Sequence, residues 1–550
     1  MTPAMTAFEH ALILLLLLTA LSVIGRWLPW PMPITHVVGA GAAALLLKLP
    51  RIELDPGFFF LCFVPPLLFS DGWLMPLRDF LAARRPILIL AIGLVLFTTV
   101  VVGLLAHWLV PDLPLAMAFA LGAVVSPTDA VAVGAITHRL KVPARLTAVL
   151  NGESMMNDAT GLVGFKFALA AMAAGTFSVR AAVHEFSILA LGGIAVGLAA
   201  GWLIGKVRDL LQRVRGSDVF IEVTLSLMTP YAAYLAGEAL GLSSILAVVS
   251  AGLYSGWRDP LRPDVAARQT TWAVWSVVLF WLNGLAFVLL GLQFPTILAT
   301  VSSHYPTGQI IMFTGVVASA AILTHLVWVF PGAYLPFVLL PHLRRREKPV
   351  SWQAVLVTGW AGMRGTITLA AALSIPELMD DGRPFPARDL VIFLSLGVIF
   401  VTLLLQGTTL EWLICKLRLK ADDTKVKEER LARITAVKSG LHSLRHPETP
   451  PATAEEHTVL GLIIAEYEHR LLELTAEGET QAASHRHRAA SRRHRLRALR
   501  AERAAIDDLW RRDVITDDIH RPLQQLLDHE ESMLGGLAGE EETPVNPTAV

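Results

Sequence analysis

Cysteine is almost absent from this chain: Cys62 and Cys415 are the only two among 550 residues. Cys62 lies within an apolar run, and Cys415 lies where the last apolar run ends. A fold that is held together by disulfides needs several pairs of cysteines, and their spacing is visible in the sequence. The sequence therefore excludes a disulfide framework as the basis of this fold.

Charged residues are also scarce, at 17% of the chain, whereas hydrophobic residues make up 54%. This composition excludes an ordinary soluble protein. Apolar stretches recur from Phe8 to about Cys415, each close to the ~20 residues that a bilayer-spanning helix needs. We predict an all-α polytopic membrane domain over 1–415 and a cytoplasmic, mostly helical soluble tail over 416–550, with a disordered end from Gly535.

An excess of charge of either sign is missing as well, because 46 basic residues balance 46 acidic ones. The tail contains a basic run over 484–495, but its acidic residues offset its basic ones. We therefore expect no nucleic-acid partner. The basic run is typical of a solvated helix face, and binding of anionic lipid headgroups or pH sensing through its histidines remain alternatives.

A cleavable signal peptide is missing too. The N-terminus has no basic segment and no clear small-residue cleavage site, so we interpret the run over 11–24 as a retained first span. The apolar runs predict thirteen spans in all, at about 8–26, 34–48, 57–73, 85–110, 114–136, 146–175, 181–211, 218–240, 244–256, 270–297, 309–340, 351–376 and 387–415.

Positive charge is unevenly divided between the loops. The loops that follow odd-numbered spans carry most of it, and residues 344–348 alone contain three arginines and a lysine. The opposite loops carry only Lys48, Arg51, Arg180, Arg383 and Arg388. The positive-inside rule then places the N-terminus outside and the C-terminus in the cytoplasm, and one span fewer would scramble the pattern.

Two spans are interrupted by helix-breaking residues. The fifth contains Ser126-Pro-Thr-Asp129, and the twelfth contains Gly362-Met-Arg-Gly365. Pro127 removes a backbone donor, and the glycines loosen the helix. The two spans are seven apart, which suits a six-plus-six inverted repeat whose broken helices cross near the middle of the membrane. Transporters of that design bind their ions at such breaks.

The polar stretch Asn151–Asp158 lies inside an apolar run and supplies the candidate site. Ionisable groups at membrane depth are rare and usually mark an ion path. Ser154 and Asp158 are four residues apart and share one helix face, whereas Glu153 and Asn157 share the neighbouring face. A carboxylate one turn from a hydroxyl suits a hard monovalent cation or a proton. We predict that Asp158 binds either one in turn.

Other polar residues receive supporting roles. We expect Glu153 to pair with Arg364, because each needs a partner inside the membrane. Asn157 is expected to hydrogen-bond the broken backbone near Thr128, with direct ion coordination as an alternative. For Asp129, helix capping and ion contact stay open. For Asp71, a position at the ion entrance and a position at the membrane interface stay open.

Together these motifs resemble the bacterial Na+/H+ antiporters of the monovalent cation/proton antiporter-1 family. The resemblance rests on Asn151–Asp158, Ser126–Asp129 and Gly362–Gly365, with Pro65–Phe69 and Gln406–Leu410 in support. Two departures matter. Ala130 stands where the family often has proline. Many relatives have an acid directly after the phenylalanine of the third-span motif, whereas this chain has Ser70 there and its acid, Asp71, comes one residue later.

The resemblance implies a homodimer with thirteen helices in a six-plus-six inverted repeat. It implies a Na+ site at Asp158, Ser154 and the Thr128 carbonyl, a Glu153–Arg364 ion pair, and Asn157 bracing the unwound helix. Relatives with Asn before the Asp exchange one cation for one proton, which agrees with a single titrating carboxylate.

We therefore expect a secondary antiporter of the bacterial inner membrane, not an enzyme, that exchanges cytoplasmic Na+, or Li+ or K+, for external H+. It needs no cofactor beyond the transported ions, and its partners are membrane lipid and a second copy. A K+/H+ exchanger is an alternative. An intramembrane protease using Asp129 and Asp158 is disfavoured, because sequence contexts such as Gly-x-Gly-Asp are missing.

Overall fold

A computed structural model describes most of the chain. The described residues are 3–28, 30–47, 56–129, 133–134, 140, 142–174, 179–216, 218–262, 264–339, 350–379, 383–419, 423–447, 451–476 and 479–536. Over this range the protein is helical, and its extended structure is limited to an isolated bridge between Leu378 and Pro384. The chain divides into two compact units, Met1–Asp422 and Asp423–Val550.

The first unit is built from fifteen described α-helices, with a π-helical segment at Ile89–Leu94 that joins α4 to α5. The helices are α1 (Pro3–Gly25), α2 (Met32–Leu46), α3 (Pro56–Leu74), α4 (Leu77–Leu88), α5 (Val95–Leu109), α6 (Leu115–Val125), α7 (Ala144–Ala174), α8 (Val179–Arg215), α9 (Val219–Ala239), α10 (Ser244–Arg258), α11 (Val265–Ser302), α12 (Thr307–Leu339), α13 (Trp352–Trp360), α14 (Thr366–Leu373) and α15 (Arg388–Leu417).

Eight helical stretches among the described residues are long and apolar enough to cross a membrane, and α2 and α6 are shorter apolar helices. Large apolar side chains such as Leu16, Leu46 and Phe220 are exposed on this unit. In water such a surface would be unfavourable, whereas in a bilayer it faces lipid tails. The prediction of an all-α, multi-pass membrane protein is thus confirmed, and the count of thirteen spans and the repeat stay predictions.

The helices of the first unit pack as two bundles. Bundle one contains α1–α3 and α8–α11, and bundle two contains α4–α7 and α12–α15. Within bundle one, α3 and α10 touch backbone to backbone, because a Cβ atom added at Gly72 would lie 2.6 Å from the Val249 carbonyl oxygen. The bundles meet where α3 and α11 contact α14, where α11 contacts α15, and where α3 contacts α7.

Both predicted interruptions are present in bundle two. Helix α6 ends at Val125, and residues 361–365 separate α13 from α14. The two breaks contact each other: the Asp129 backbone N–H donates to the Met363 carbonyl at 2.6 Å, and Arg364 Nε donates to the Val125 carbonyl at 2.9 Å. Non-helical backbone is tolerated at membrane depth only where protein buries it and satisfies its polar groups. Each break therefore supplies the partners that the other lacks.

The described part of the second unit forms four helices: α16 (Asp423–Arg445), α17 (Ala454–Thr475), α18 (Glu479–Arg511) and α19 (Asp517–Gly536). Helix α16 packs on α17, and α18 packs on α19. Thr453 and Glu456 form a capping box at the start of α17. Residues 537–550, most of the predicted disordered end, lie outside the described residues.

The sequence pattern predicts one long helix over 485–534, and this prediction is wrong. The chain instead reverses between α18 and α19, where Asp513 adopts a left-handed conformation with φ of 54°. The turn contains neither glycine nor proline, so the usual breaker signal is missing. Leu499 and Leu527 are buried, and burial of these apolar side chains favours the hairpin over a single exposed helix.

Candidate functional site

The candidate residues of α7 are buried in the centre of bundle two. Glu153, Ser154, Asn157 and Asp158 are each less than 5% exposed. The helix comes close to the first break, because a Cβ atom at Gly161 would lie 2.5 Å from Pro127 Cγ. Glycine at this position therefore lets α7 present its polar face directly to the non-helical backbone of residues 126–129.

Thr128 is the point where α7 and the break join. Ser154 Oγ donates to the Thr128 carbonyl at 2.7 Å, and Asn157 Nδ2 donates to Thr128 Oγ1 at 2.8 Å. The Thr128 backbone N–H donates to Asn157 Oδ1 at 3.4 Å. Asn157 thus replaces the helical partners that residues around Pro127 lack. The Thr128 carbonyl and the Ser154 hydroxyl are held side by side, and each oxygen has two lone pairs that can accept.

A cavity of about 490 Å³ opens beside these groups, between the two bundles. Asp158, Ser154, Thr128 and Asp129 line it from bundle two, and Asp71 lines it from α3 of bundle one. Asp71 and Asp129 are close enough to Asp158 to interact with it electrostatically. The structure therefore brings three carboxylates, a hydroxyl and a carbonyl to one cavity, which is an oxygen-rich setting for a hard cation.

Several lining residues were not among the sequence-based candidates. Ser276 and Asn283 of α11 and Thr366 and Thr368 of α14 also border the cavity, as does His36 of α2. The sequence contained a signal for Ser276 and Asn283, because two polar residues that are seven apart share one face of a helical stretch that is otherwise apolar. For the others, only the packing of α2 and α14 at the bundle boundary reveals the position.

Asp129 sits at the meeting point of the two breaks. Its carboxylate lies directly against Gly365, where a Cβ atom would overlap Asp129 Oδ2. Gly365 is thus required by a close approach. The alternative role of Asp129, capping the second half of the fifth span, concerns residues 130–132 and 135–139, which lie outside the described residues.

Glu153 and Arg364, which are expected from the sequence to pair, interact electrostatically, but the hydrogen bonds of Arg364 go to other groups. The Arg364 guanidinium donates to the carbonyls of Val125 and Ala321, both at 2.9 Å, and to that of Gly362. The Arg364 backbone N–H donates to Thr402 Oγ1 at 3.2 Å. Carbonyls left without donors by the breaks compete for the guanidinium, and sequence spacing does not reveal them. Arg364 therefore joins the two breaks to α12 and α15.

Glu153 instead has a histidine beside it. Glu153 Oε1 lies 3.2 Å from His325 Nε2 of α12, and Thr128 Oγ1 donates to the same carboxylate oxygen at 3.5 Å. His325 is fully buried, and its ring covers Gly362. Glu153 and Arg364 remain close enough to interact electrostatically. A buried histidine of α12 thus lies against the acid behind the cavity.

A resident metal centre would need a cluster of strong ligands. Among the described residues, no group of three or more His, Cys, Asp or Glu side chains is arranged to hold a metal ion. Both cysteines are free.

Comparison with known proteins identifies the family. The family model described as "Sodium/hydrogen exchanger, transmembrane" matches residues 11–416. The chain is 37% identical to the sodium, potassium, lithium and rubidium/H(+) antiporter of Bacillus pumilus, over 80% of this chain and 66% of that protein. It is 36% identical to the uncharacterized Na(+)/H(+) exchanger YjcE of Escherichia coli, over 96% of this chain and 99% of that protein.

A solved structure supports the fold. The sodium proton antiporter MjNhaP1 from Methanocaldococcus jannaschii aligns with a TM-score of 0.59 at 19% identity, covering 76% of this chain and 99% of that chain. The match over residues 11–416 spans all the helices that carry the cavity. This chain belongs to the sodium/hydrogen exchanger family.

Proposed function

We propose that the protein exchanges a monovalent cation, Na+ in the first place, for H+ across a membrane. The observation that carries the proposal is the buried group of Asp158, Ser154 and the Thr128 carbonyl at the edge of a cavity between two helix bundles. A carboxylate in this setting binds a proton or a cation but not both. Competition for one carboxylate couples the two fluxes without any covalent chemistry.

Each proposed ligand has a distinct part. Asp158 supplies the negative charge, and Ser154 and Thr128 supply neutral oxygens whose direction is fixed by their 2.7 Å hydrogen bond. Asp71 and Asp129 border the same cavity and raise the local negative potential, which attracts cations. Asn157, Arg364 and Glu153 hold the broken backbone in place and act by positioning.

The position of the cavity supports alternating access. Asp158 belongs to bundle two, and Asp71 and Asn283 belong to bundle one. Movement of one bundle along the other would open this boundary to one side of the membrane at a time. In inverted-repeat transporters one bundle rocks against the other around a site at broken helices. The ion would be held by groups of both bundles while this boundary opens to one side or the other.

Further proposals follow from charge and family. A single titrating carboxylate favours one cation for one proton. The positive loops favour an external N-terminus and a cytoplasmic tail in a bacterial inner membrane. The family resemblance favours a homodimer. The protein is proposed as a transporter, not an enzyme, and Na+ and H+ are its cargo rather than resident cofactors.

Purified protein in liposomes tests the proposal. Na+, Li+ and K+ gradients are applied across a pH series, and proton flux is followed with an internal dye. We expect saturable exchange for wild type and for Asp112→Asn, an exposed loop aspartate, and only background flux for Asp158→Asn. Full exchange by Asp158→Asn would refute the central role of Asp158.

The same series decides the cation. Names of relatives include Na+, K+, Li+ and Rb+ as substrates, and ligand placement separates such ions by small amounts. Saturation by K+ at lower concentration than Na+ would favour the K+/H+ alternative. Flux that never saturates would indicate a conductance instead of an exchanger.

A further inference from the structure

Asn283 is a polar residue of the ion cavity whose amide oxygen takes no part in the hydrogen bonds of the site. It lies in the middle of α11 and lines the cavity from bundle one, whereas Asp158 and Ser154 line it from bundle two. Its Oδ1 atom is buried, and no hydrogen bond reaches it from the described residues. Buried acceptors inside a membrane protein normally have a donor, so this one calls for an explanation.

The surrounding face of α11 cannot satisfy the amide oxygen. The neighbouring lining residues of this helix are Leu279, Phe280 and Phe287, three or four residues away, and their side chains contain no donor. Ser276 lies two turns away and donates to a carbonyl of its own helix at 2.8 Å. A partner for Asn283 Oδ1 therefore has to come from the cavity itself.

Helix α11 packs closely on bundle one on both sides of this position. A Cβ atom at Gly284 would collide with Leu18 of α1, and one at Gly291 would lie 2.8 Å from the Cβ atom of Ala40 in α2. This packing fixes the backbone that carries Asn283. The terminal torsion of an asparagine is broad and roughly two-fold, so the amide can turn its oxygen toward the cavity without movement of the helix.

A cation in the cavity would be a suitable partner for this oxygen. Hard cations bind neutral carbonyl and amide oxygens together with carboxylates. Bundle two already presents the Asp158 carboxylate, the Ser154 hydroxyl and the Thr128 carbonyl. We propose that Asn283 Oδ1 is a further ligand of the transported cation, supplied by bundle one. This inference rests on the proposed function.

A ligand on bundle one has a different effect from the ligands on bundle two. Ser154 and Thr128 are joined by a hydrogen bond of 2.7 Å within bundle two, whereas α11 meets bundle two only through its contacts with other helices, among them α14 and α15. Asn283 therefore holds the cation only while the two bundles close around it. A proton on Asp158 needs no such ligand, so loss of Asn283 should weaken cation binding and leave proton binding unchanged.

Melting curves of the full chain in detergent test the ligand role. NaCl is titrated at alkaline pH, with choline chloride keeping the ionic strength constant, and the rise in melting temperature gives an apparent Na+ affinity. We expect Asn283→Leu to weaken this affinity about tenfold, in the range for loss of one polar contact to a charged group. Gln309→Leu makes the same chemical change at an exposed position of α12 and should titrate like wild type.

Asn283→Asp separates an oxygen ligand from a structural amide. Aspartate keeps the side-chain oxygen but loses the N–H donor, so Na+ affinity should be retained or increased. A structural role of the amide N–H would be lost in both variants. In liposomes, Asn283→Leu should need more Na+ for half-maximal exchange and reach a maximal rate close to wild type. Asn283→Ala serves the same purpose if leucine does not fit.

The outcomes distinguish this role from the proposed function. Equal Na+ affinity in wild type and in the variants without the oxygen would overturn the ligand role, and so would an equal loss in Asn283→Asp. A wild type that neither exchanges Na+ nor is stabilised by it would refute the proposed function, and the ligand role with it. Exchange by wild type beside unchanged Na+ affinity of Asn283→Leu would refute only the role of Asn283.

Discussion

Two buried groups of charges in the membrane unit have opposite characters. In bundle one, Arg208, Glu222, Asp259 and Arg262 form ion pairs at 2.5–3.1 Å, and Trp73 adds a hydrogen bond to Asp259 at 3.2 Å. At the cavity, the neighbours of Asp158 are a hydroxyl, a carbonyl and two more carboxylates. Among its described contacts, Asp158 has no basic partner.

The difference in partners separates acids that have a structural role from the acid that we propose to exchange ions. A buried acid that is paired with arginine has its charge compensated by the protein itself, and removal of either partner is strongly destabilising. A buried acid without a basic partner must find its positive charge elsewhere, from a proton or a cation. Both kinds of acid occur in apolar helices, so the partner rather than the burial identifies the exchanging group.

The largest expected effect comes from matched amide substitutions in the two groups. Asp158→Asn should lose exchange entirely and leave the melting temperature unchanged or higher, because an unpaired buried carboxylate is removed. Asp259→Asn should lower stability by about 3–5 kcal/mol, because Arg208 and Arg262 lose their shared partner. Melting curves in detergent and flux per folded molecule check both. A marked loss of stability in Asp158→Asn would contradict the comparison.

The next effect concerns the two charged residues behind the cavity. Arg364→Ala should cost about 3 kcal/mol, because the carbonyls of Val125, Ala321 and Gly362 lose a buried donor. Glu153→Gln should cost about 1 kcal/mol, because the amide still fits between His325 and Thr128. The yield of monodisperse protein and the melting temperature measure the stability of both variants. The exposed Arg213→Ala serves as control, and equal losses in the two site variants would favour a direct ion pair.

A smaller effect is expected from the contact between the breaks. Gly365→Ala should cost about 1–3 kcal/mol and slow exchange, because its Cβ atom would displace the Asp129 carboxylate. Gly315→Ala on α12 is a matched control, since nothing lies within 4 Å of its Cβ position. Transport assays in liposomes and melting curves compare the two. Unchanged exchange by Gly365→Ala would show that the position of Asp129 is unimportant.

The smallest effect lies in the tail. A hydrogen bond from His520 holds the pKa of the Asp507 carboxyl below its usual value. Since the folded pKa is the lower one, this bond stabilises the α18–α19 hairpin above about pH 4 and is lost as pH falls through the folded pKa. Pepsin cleavage between α18 and α19 should rise over that acidic range in wild type.

Asp507→Asn should remove this pH dependence, whereas Asp508→Asn, whose partner Arg512 is exposed just after the end of α18, should keep it. Identical acid profiles for wild type and Asp507→Asn would exclude a role for the His520 bond.

Much of the membrane unit was predictable because its signals are local. Apolar runs define membrane helices, and Pro127 and the glycines around Arg364 mark the breaks within one or two residues. Ser154 and Asp158 were paired by helical spacing alone. The α18–α19 turn was missed because no breaker residue marks it, and the burial of Leu499 and Leu527 that favours it depends on helix packing and not on local sequence.

The sequence by itself determined that the protein is a helical membrane protein, where its helices break, and that a polar face on α7 has to be buried. Hydropathy, proline and helical periodicity determine structure within a few residues, so their effects can be predicted from the sequence. Tertiary structure alone decided that Arg364 serves backbone carbonyls, that Glu153 lies beside His325, and that Asp71 and Asn283 share a cavity with Asp158. Those pairings depend on which helices pack together, and the energy of an unsatisfied carbonyl or carboxylate is decided by neighbours that are distant in the sequence.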